Sequence, residues 1–315
     1  MTIVVTGAAG FIGRALVAAL TQRSPGADIV AVDQSPVDAP GVRAVAGNIA
    51  YPRLARSLVD DRVDTVFHLA SLVSGGAEQN FELGTKVNLD ATRDLLEACR
   101  LAGHRPRFVF TSSIAVYGGT LPDPVTDDTP PAPRISYGIQ KLVCEMLIND
   151  YTRRGYVDGR SLRLPTVMVR PGSANTAVSG WASAIVREPL AGRDYVCPVR
   201  PDTRMACLSL ARTVDSLVHA AQLTSDGLDW DRTVLLTGIP VPAEEMWREV
   251  QRRAGGRLLG KVRFEPDPAL QAIMDAVPRA TFSGRAARLG FAHNSGIGEI
   301  VEEYLLTLIW SGACT

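Results

Sequence analysis

Apolar runs and amphipathic runs alternate along the first half of the chain. "TIVVT" (2–6), "DIVAV" (28–32), "VDTVFHLA" (63–70) and "RFVFTSS" (107–113) are rich in Val, Ile and Phe, as expected of strands buried on both faces. A further strand is expected just before "GNIA" (47–50). Between the strands, "GFIGRALVAALTQR", "PRLARSLVDD" and "NLDATRDLLEACRLAG" repeat their apolar residues at helical spacing. This alternation predicts an α/β fold, a doubly wound parallel sheet with helices on both faces.

Further on, "YGIQKLVCEMLINDYTRRG" from Tyr137 predicts a long helix leading into one strand, "SLRLPTVMV". After Arg170 the rhythm loosens: "RPGSANTAVSG" and "AGRDYVCPVRPDTRM" are Pro/Gly-rich and read as irregular. Residues 205–238 restore a strand, a helix "ARTVDSLVHAAQ" and a strand "RTVLLT". The last third predicts helix "PAEEMWREVQRRAG", strand "KVRFEP" and a terminal helix ending "VEEYLLTLIW".

Composition narrows the function classes. Lys plus Arg and Asp plus Glu each number 33, so charge gives no reason to expect a nucleic acid or an acidic membrane as partner. No apolar stretch nears the roughly 20 residues of a membrane span, and "MTIVVTGAAG" lacks the basic region of a signal peptide. The five cysteines form no C-x-x-C pair, and the four histidines lack ligand spacing. Free thiols in a reducing cytoplasm are therefore expected, and no metal.

"VVTGAAGFIGRAL" places Gly7, Gly10 and Gly13 between the first strand and the first helix, followed by Asp33 at the end of "VAVD". A tight turn, a close approach of backbone to pyrophosphate, and a helix N-terminus aimed at phosphate require that arrangement. A carboxylate about 20 residues on suits the adenosine ribose hydroxyls and repels a 2′-phosphate. NAD is therefore expected over NADP, with Arg14 the dissenting base. Asn48 and Ile49 in "GNIA" are expected near the adenine. The dinucleotide-binding domain is expected over 1–170 with 205–238 returning to it. A smaller irregular substrate lobe is expected from 171–204 and 239–315.

"ISYGIQK" (135–141) sets a phenol and an ammonium one helical turn apart, and "FVFTSSIAVYG" ends the preceding strand with Ser113. A free tyrosine, with a pKa near 10, is too weakly ionised to act as a base at neutral pH. A unit charge at about 4 Å and an effective dielectric near 20 contributes roughly 4 kcal/mol, about three pKa units. Lys141 is therefore expected to lower the Tyr137 phenol.

Together these residues resemble the extended short-chain dehydrogenase/reductases, the NAD-dependent epimerase/dehydratase family. The resemblance covers essentially the whole chain: "TGAAGFIG", Asp33, "HLA" (68–70), Asn88 in "VNLDATR", "TSSIAVYG", "SYGIQK" and "LRLPTVMVRPG". It implies a Rossmann fold and NAD, with Ser113, Tyr137 and Lys141 as catalytic group and Asn88 in support. Phe11, Ile12, Leu69 and Ala70 would join the cofactor contacts, Pro165 and Val167 would lie against the nicotinamide, and Lys141 would also hold ribose hydroxyls. Asn48 departs from the usual aspartate, and Ala91 from the usual glycine.

Members that remove water carry an Asp–Glu pair where this chain has Ser113 and Ile114 beside Ala115, which disfavours a dehydratase. "HLASLVSGGAEQNFELG" and "REPLAGRDYVCPV" resemble the sugar-acid-oxidising members. That implies NAD-dependent oxidation of the C2 hydroxyl of a four-carbon aldonate to a 2-keto acid, with epimerisation of a UDP-sugar as the alternative. Planar arginine suits a carboxylate best, so Arg204 and Arg170 are candidates for the acid group. Ser74 and Gly75 on the loop after the fourth strand are expected to offer donors. Asn175 and Ser173 are expected at the sugar hydroxyls. The family also implies a homodimer through the Tyr137 helix and its neighbour, 80–102.

Overall fold

The computed structural model describes residues 1–172 and 177–310. Its first half runs β1 (Thr2–Thr6), α1 (Phe11–Arg23), β2 (Asp28–Asp33), β3 (Arg43–Ala46), α2 (Pro52–Leu58), β4 (Val63–His68), α3 (Ser74–Gln79), α4 (Phe81–Gly84), α5 (Ala91–Ala102), β5 (Arg107–Ser113), α6 (Ser136–Arg153) and β6 (Asp158–Leu164). There follow β7 (Thr166–Met168), α7 (Gly180–Leu190), β8 (Tyr195–Cys197), β9 (Arg204–Ser209), α8 (Leu210–Gln222) and β10 (Thr233–Leu235). The chain ends with β11 (Ile239–Pro242), α9 (Ala243–Arg253), β12 (Val262–Phe264), α10 (Pro268–Asp275), α11 (Gly284–Arg288) and α12 (Ile297–Trp310).

The fold is α/β, with seven strands ordered β10-β6-β5-β4-β1-β2-β3 in a parallel central sheet. β1 lies between β2 and β4. There the order reverses, and the strands' carboxyl ends open a crevice. β-Branched residues fill the strand interiors because they pack well on a pleated surface. Val4, Val30, Val66, Phe108 and Phe110 meet Leu95, Leu96 and Ile148 of the covering helices in one core. α1 buries Gly13, Leu16, Val17 and Leu20, the single stripe expected of a surface helix. β3, "RAVA", is an edge strand with little burial, hence its weak signal in the sequence.

The chain divides into two compact units. The first comprises 1–116, 133–163 and 214–234; the second comprises 117–132, 164–213 and 235–315. The expected boundaries differ from these: 164–170, 205–213 and 235–238 fall in the second unit, as does 117–132. The expected strand "SLRLPTVMV" is two strands in two sheets, broken at Pro165. Proline has no N–H to give a central ladder.

The second unit holds a three-stranded sheet, β11-β9-β7, and a two-stranded one, β12-β8. Its core gathers Trp181, Ile185, Met205, Met246, Ile300 and Tyr304. α7, in a stretch the sequence left unassigned, is buried at nine of its eleven residues. A helix covered all round has no polar face to betray its period.

Candidate active site

The first unit carries the glycine turn. A Cβ on Gly13 would come within 2.1 Å of the Gly7 carbonyl oxygen, so only glycine lets α1 start this close beneath the turn. No side chain caps α1 and no acid occupies its first turn, which leaves the N–H groups after Gly10, from Phe11, Ile12 and Gly13, free for an anion. A cleft of about 300 Å³ opens there, lined by Gly7, Gly10, Asp33, Asn48, Ile49, Leu69 and Ala70 among others.

Asp33 is fixed in this cleft. Its carboxylate accepts the Ala9 N–H at 3.0 Å and the Ser35 N–H at 2.9 Å. Arg14 is exposed and donates its Nε–H to the Ala9 carbonyl at 2.7 Å. Asn48 spends its side-chain oxygen on the Ala50 N–H at 2.9 Å, which makes it a turn former at the cleft wall. Its amide nitrogen is the only part left for a base.

The reactive side chains come from β5 and α6. Gly138 explains the approach of the two elements: a Cβ there would lie 2.1 Å from the Ala115 carbonyl oxygen. The first turn of α6 can therefore press against the end of β5, and the Ser136 N–H of that turn is held by the Glu78 carboxylate of α3. The hydroxyls of Ser113 and Ser71 lie near enough to the Tyr137 phenol to favour its ionised form. Ser113 also accepts the Ala115 N–H at 3.1 Å.

Lys141 is buried. Its ammonium donates to the Thr111 carbonyl at 2.7 Å, stands 4.4 Å from the Phe110 ring centre and 5.6 Å from that of Tyr137. Burial pushes its pKa down to about 8, against the pull of Cys144 and Glu145. The expectation that Lys141 lowers the phenol is not met in this structure. Burial raises Tyr137 above the ordinary value, and the hydroxyls of Ser113 and Ser71 offset that only in part. The physical reason is desolvation of the phenolate, with the lysine proton spent on a backbone carbonyl.

Asn88 sits in a π-helical turn, Thr85–Asp90, just before α5. Its side chain binds Ser71, both polar backbone atoms of Leu72, and Gln140 of α6. Two of these contacts escaped the sequence reading. Ser71 and Gln140 match no catalytic pattern, and only their neighbours in space give them a part. Ser74 and Gly75, expected on a loop, instead open the short helix α3.

A buried charge pair lies one turn beyond Lys141. Glu145 receives Arg163 through two guanidinium nitrogens, at 3.0 Å from Nε and 2.7 Å from Nη2, and also the Ser112 hydroxyl. His68, fully buried in β4, bridges Thr6 and Thr92 at 2.7 and 3.0 Å. Burial, helped by the Lys141 charge, pushes its pKa down to about 3.

In the second unit, Arg204, a candidate for the acid group, is engaged by the Asp123 carboxylate. The Arg170 guanidinium is partly buried and makes no ion pair among the described residues, and burial followed by Arg187 holds its pKa below the arginine value. Pro165 is buried and Val167 lies on β7, paired with Leu208 of β9. Ser173 and Asn175 lie outside the described residues. Among the described residues no cluster of His, Cys, Asp or Glu is arranged to hold a metal ion, and no helix is long and apolar enough to cross a membrane.

Residues 3–202 match the model of the NAD dependent epimerase/dehydratase family. The chain is 43% identical to D-erythronate dehydrogenase of Cupriavidus necator, over 97% of this chain and 98% of that one. It is 37% identical to D-erythronate dehydrogenase of Haemophilus influenzae, over 97% and 99%. Among solved structures, a nucleoside-diphosphate-sugar epimerase from Agrobacterium tumefaciens superposes with a TM-score of 0.93 at 36% identity, covering 98% of this chain and 95% of that one.

Proposed function

The chain belongs to the NAD dependent epimerase/dehydratase family and is an NAD-dependent dehydrogenase, and from that premise we propose that it oxidises the C2 hydroxyl of a four-carbon sugar acid, D-erythronate or a near relative, to the 2-keto acid. The observation that carries the reaction is the meeting of Ser113, Tyr137 and Lys141 where β5 and α6 come together. The two D-erythronate dehydrogenases support the substrate class. The residues present fit the cofactor: an uncapped helix N-terminus for pyrophosphate and an anchored Asp33 for ribose hydroxyls.

The glycine turn and Asp33 would hold NAD, which would supply the hydride acceptor for C2. The chain's own residues handle the proton and the oxygen. Ser113 donates a hydrogen bond to the C2 oxygen. Tyr137, as phenolate, takes the hydroxyl proton while the carbonyl forms, and Lys141 supplies positive charge and a donor for ribose hydroxyls. Of the two arginines considered for the acid group, Arg170 is the one whose guanidinium is uncommitted among the described residues.

A UDP-sugar epimerase is the second reading, favoured by the likeness to the Agrobacterium enzyme. One assay separates the two. Purified protein is mixed with NAD and, separately, with D-erythronate, other aldonates and UDP-sugars. Accumulation of NADH with an aldonate alone is expected. Conversion of a UDP-sugar without net NADH would replace the proposal.

We also propose a homodimer through α6 and residues 80–102. Ile139, Val143 and Met146 are exposed at helical spacing on α6, and Phe81 and Leu83 are exposed on α4. Apolar positions grouped in this way mark a contact surface. Light scattering at the mass of one chain would refute it.

A further inference from the structure

Asn88 pairs with the main chain of Leu72 through both ends of its amide. Oδ1 accepts the Leu72 N–H at 2.7 Å, and Nδ2 donates to the Leu72 carbonyl at 3.0 Å. A backbone N–H can only give and a carbonyl can only accept, so this pairing fixes which end of the amide is which. The remaining Nδ2 proton goes to α6, where Gln140 Oε1 receives it at 2.7 Å. Gln140 must therefore turn its oxygen toward Asn88 and its nitrogen away.

That nitrogen meets no acceptor. Gln140 is 4% exposed, and its Nε2 has no hydrogen-bond partner among the described residues. It lies against Gly84, where a Cβ would stand 3.2 Å from it and 3.1 Å from the Cβ of Ala77. Gly84 has ordinary helical angles, φ −55° and ψ −48°, so the glycine gives room here rather than a special backbone conformation. Burying an NH₂ group without a partner is costly, and the bond made by the oxygen is what offsets it.

We propose that Gln140 is a positioning residue for the cofactor: through Asn88 it holds Leu72 and the cleft wall at a set distance from α6. Ser71 and Leu72 line the cleft with Gly7, Gly10 and Asp33, and Gln140 immediately precedes Lys141 on α6. One buried acceptor thus joins the wall that would face NAD to the helix that carries Tyr137 and Lys141. Ser71 belongs to the same unit: its hydroxyl donates to Asn88 Oδ1 at 2.9 Å, with the Leu72 carbonyl at 3.4 Å as a second acceptor. The inference rests on this cleft as the NAD site and is independent of which substrate is oxidised.

The test uses Gln140→Glu, Gln140→Met and Gln140→Asn in the full chain, without substrate. Glutamate keeps an oxygen facing Asn88 and gives up only the unpartnered nitrogen. Methionine keeps the length and removes the strong acceptor. Asparagine keeps the amide but draws its oxygen back by one methylene, and it stands in should the methionine protein fail to accumulate. NAD affinity by calorimetry should stay within about twofold for Glu and weaken about fivefold for Met and Asn, the size of one lost hydrogen bond. In the protein without NAD, hydrogen exchange at the Leu72 amide should quicken by a similar factor in the Met and Asn variants alone.

Parent-like NAD affinity or parent-like Leu72 exchange in the Met and Asn variants overturns the proposal, since a residue that only fills space would move neither. A Glu variant as weak as the Met variant overturns it too, because the oxygen would then not be what matters. If the parent itself binds no NAD, the cofactor reading fails instead, and Leu72 exchange still decides whether Gln140 holds the wall.

Discussion

The Lys141 ammonium donates to the Thr111 carbonyl oxygen at 2.7 Å, and this bond ties the cation of α6 to the strand that ends in Ser113. A buried ammonium held by one neutral acceptor is a costly group, as its fall to about 8 shows. Lys141→Met should therefore lower kcat by about 100-fold or more, while the midpoint of urea unfolding holds or rises. A clear drop in that midpoint would make Lys141 a structural residue.

Tyr137→Phe should cut turnover by about 10²- to 10⁴-fold, the range removed with a general base. NAD affinity, read by calorimetry, should stay within about threefold, since a phenol O–H adds only about 0.5–1.5 kcal/mol as a hydrogen bond. Because burial raises the phenol, the ionised form grows with pH. The kcat/KM of the parent should keep rising through the alkaline range rather than level off at neutrality.

Asp33→Ala removes a carboxylate that holds two backbone N–H groups and faces the cofactor cleft. The KM for NAD should rise about tenfold or more, and the discrimination against NADP should narrow, because the repulsion of a 2′-phosphate is gone. Steady-state kinetics with both cofactors checks both halves of the expectation.

Glu145 and Arg163 form a nearly buried pair. Removing one partner leaves the other charge without compensation, so Arg163→Met should cost about 3–5 kcal/mol of stability. Adding Glu145→Leu to it should recover part of that loss. Denaturant unfolding of the two single variants and the double variant reads the coupling directly.

His68 predicts acid sensitivity. Its folded pKa is about 3 against 6.5 for a free histidine, so the unfolded chain binds the extra proton first. Its contribution is fully present above about pH 6.5 and is lost as pH falls toward 3, a difference of about 5 kcal/mol. His68→Gln should flatten the dependence of unfolding free energy on pH across that window.

The sequence by itself determined the parallel order of the first unit. Each of its long strands is a run of apolar residues beside a helix of 3.6-residue period, so local pattern and burial point the same way. It also brought forward the glycine turn, Asp33, Ser113, Tyr137 and Lys141 as candidates, because their spacing lies along one or two elements. Tertiary structure alone decided the rest. Pro165 divides what reads as one strand, α7 hides its period by being covered all round, and Arg204 is claimed by Asp123 from a distant part of the chain. Ser71 and Gln140 gain a role only because Asn88 brings a loop and a helix to the same amide. The sign of the Tyr137 shift was likewise beyond the sequence: the charge of Lys141 could be counted there, but the cost of taking a phenolate out of water depends on everything that surrounds it.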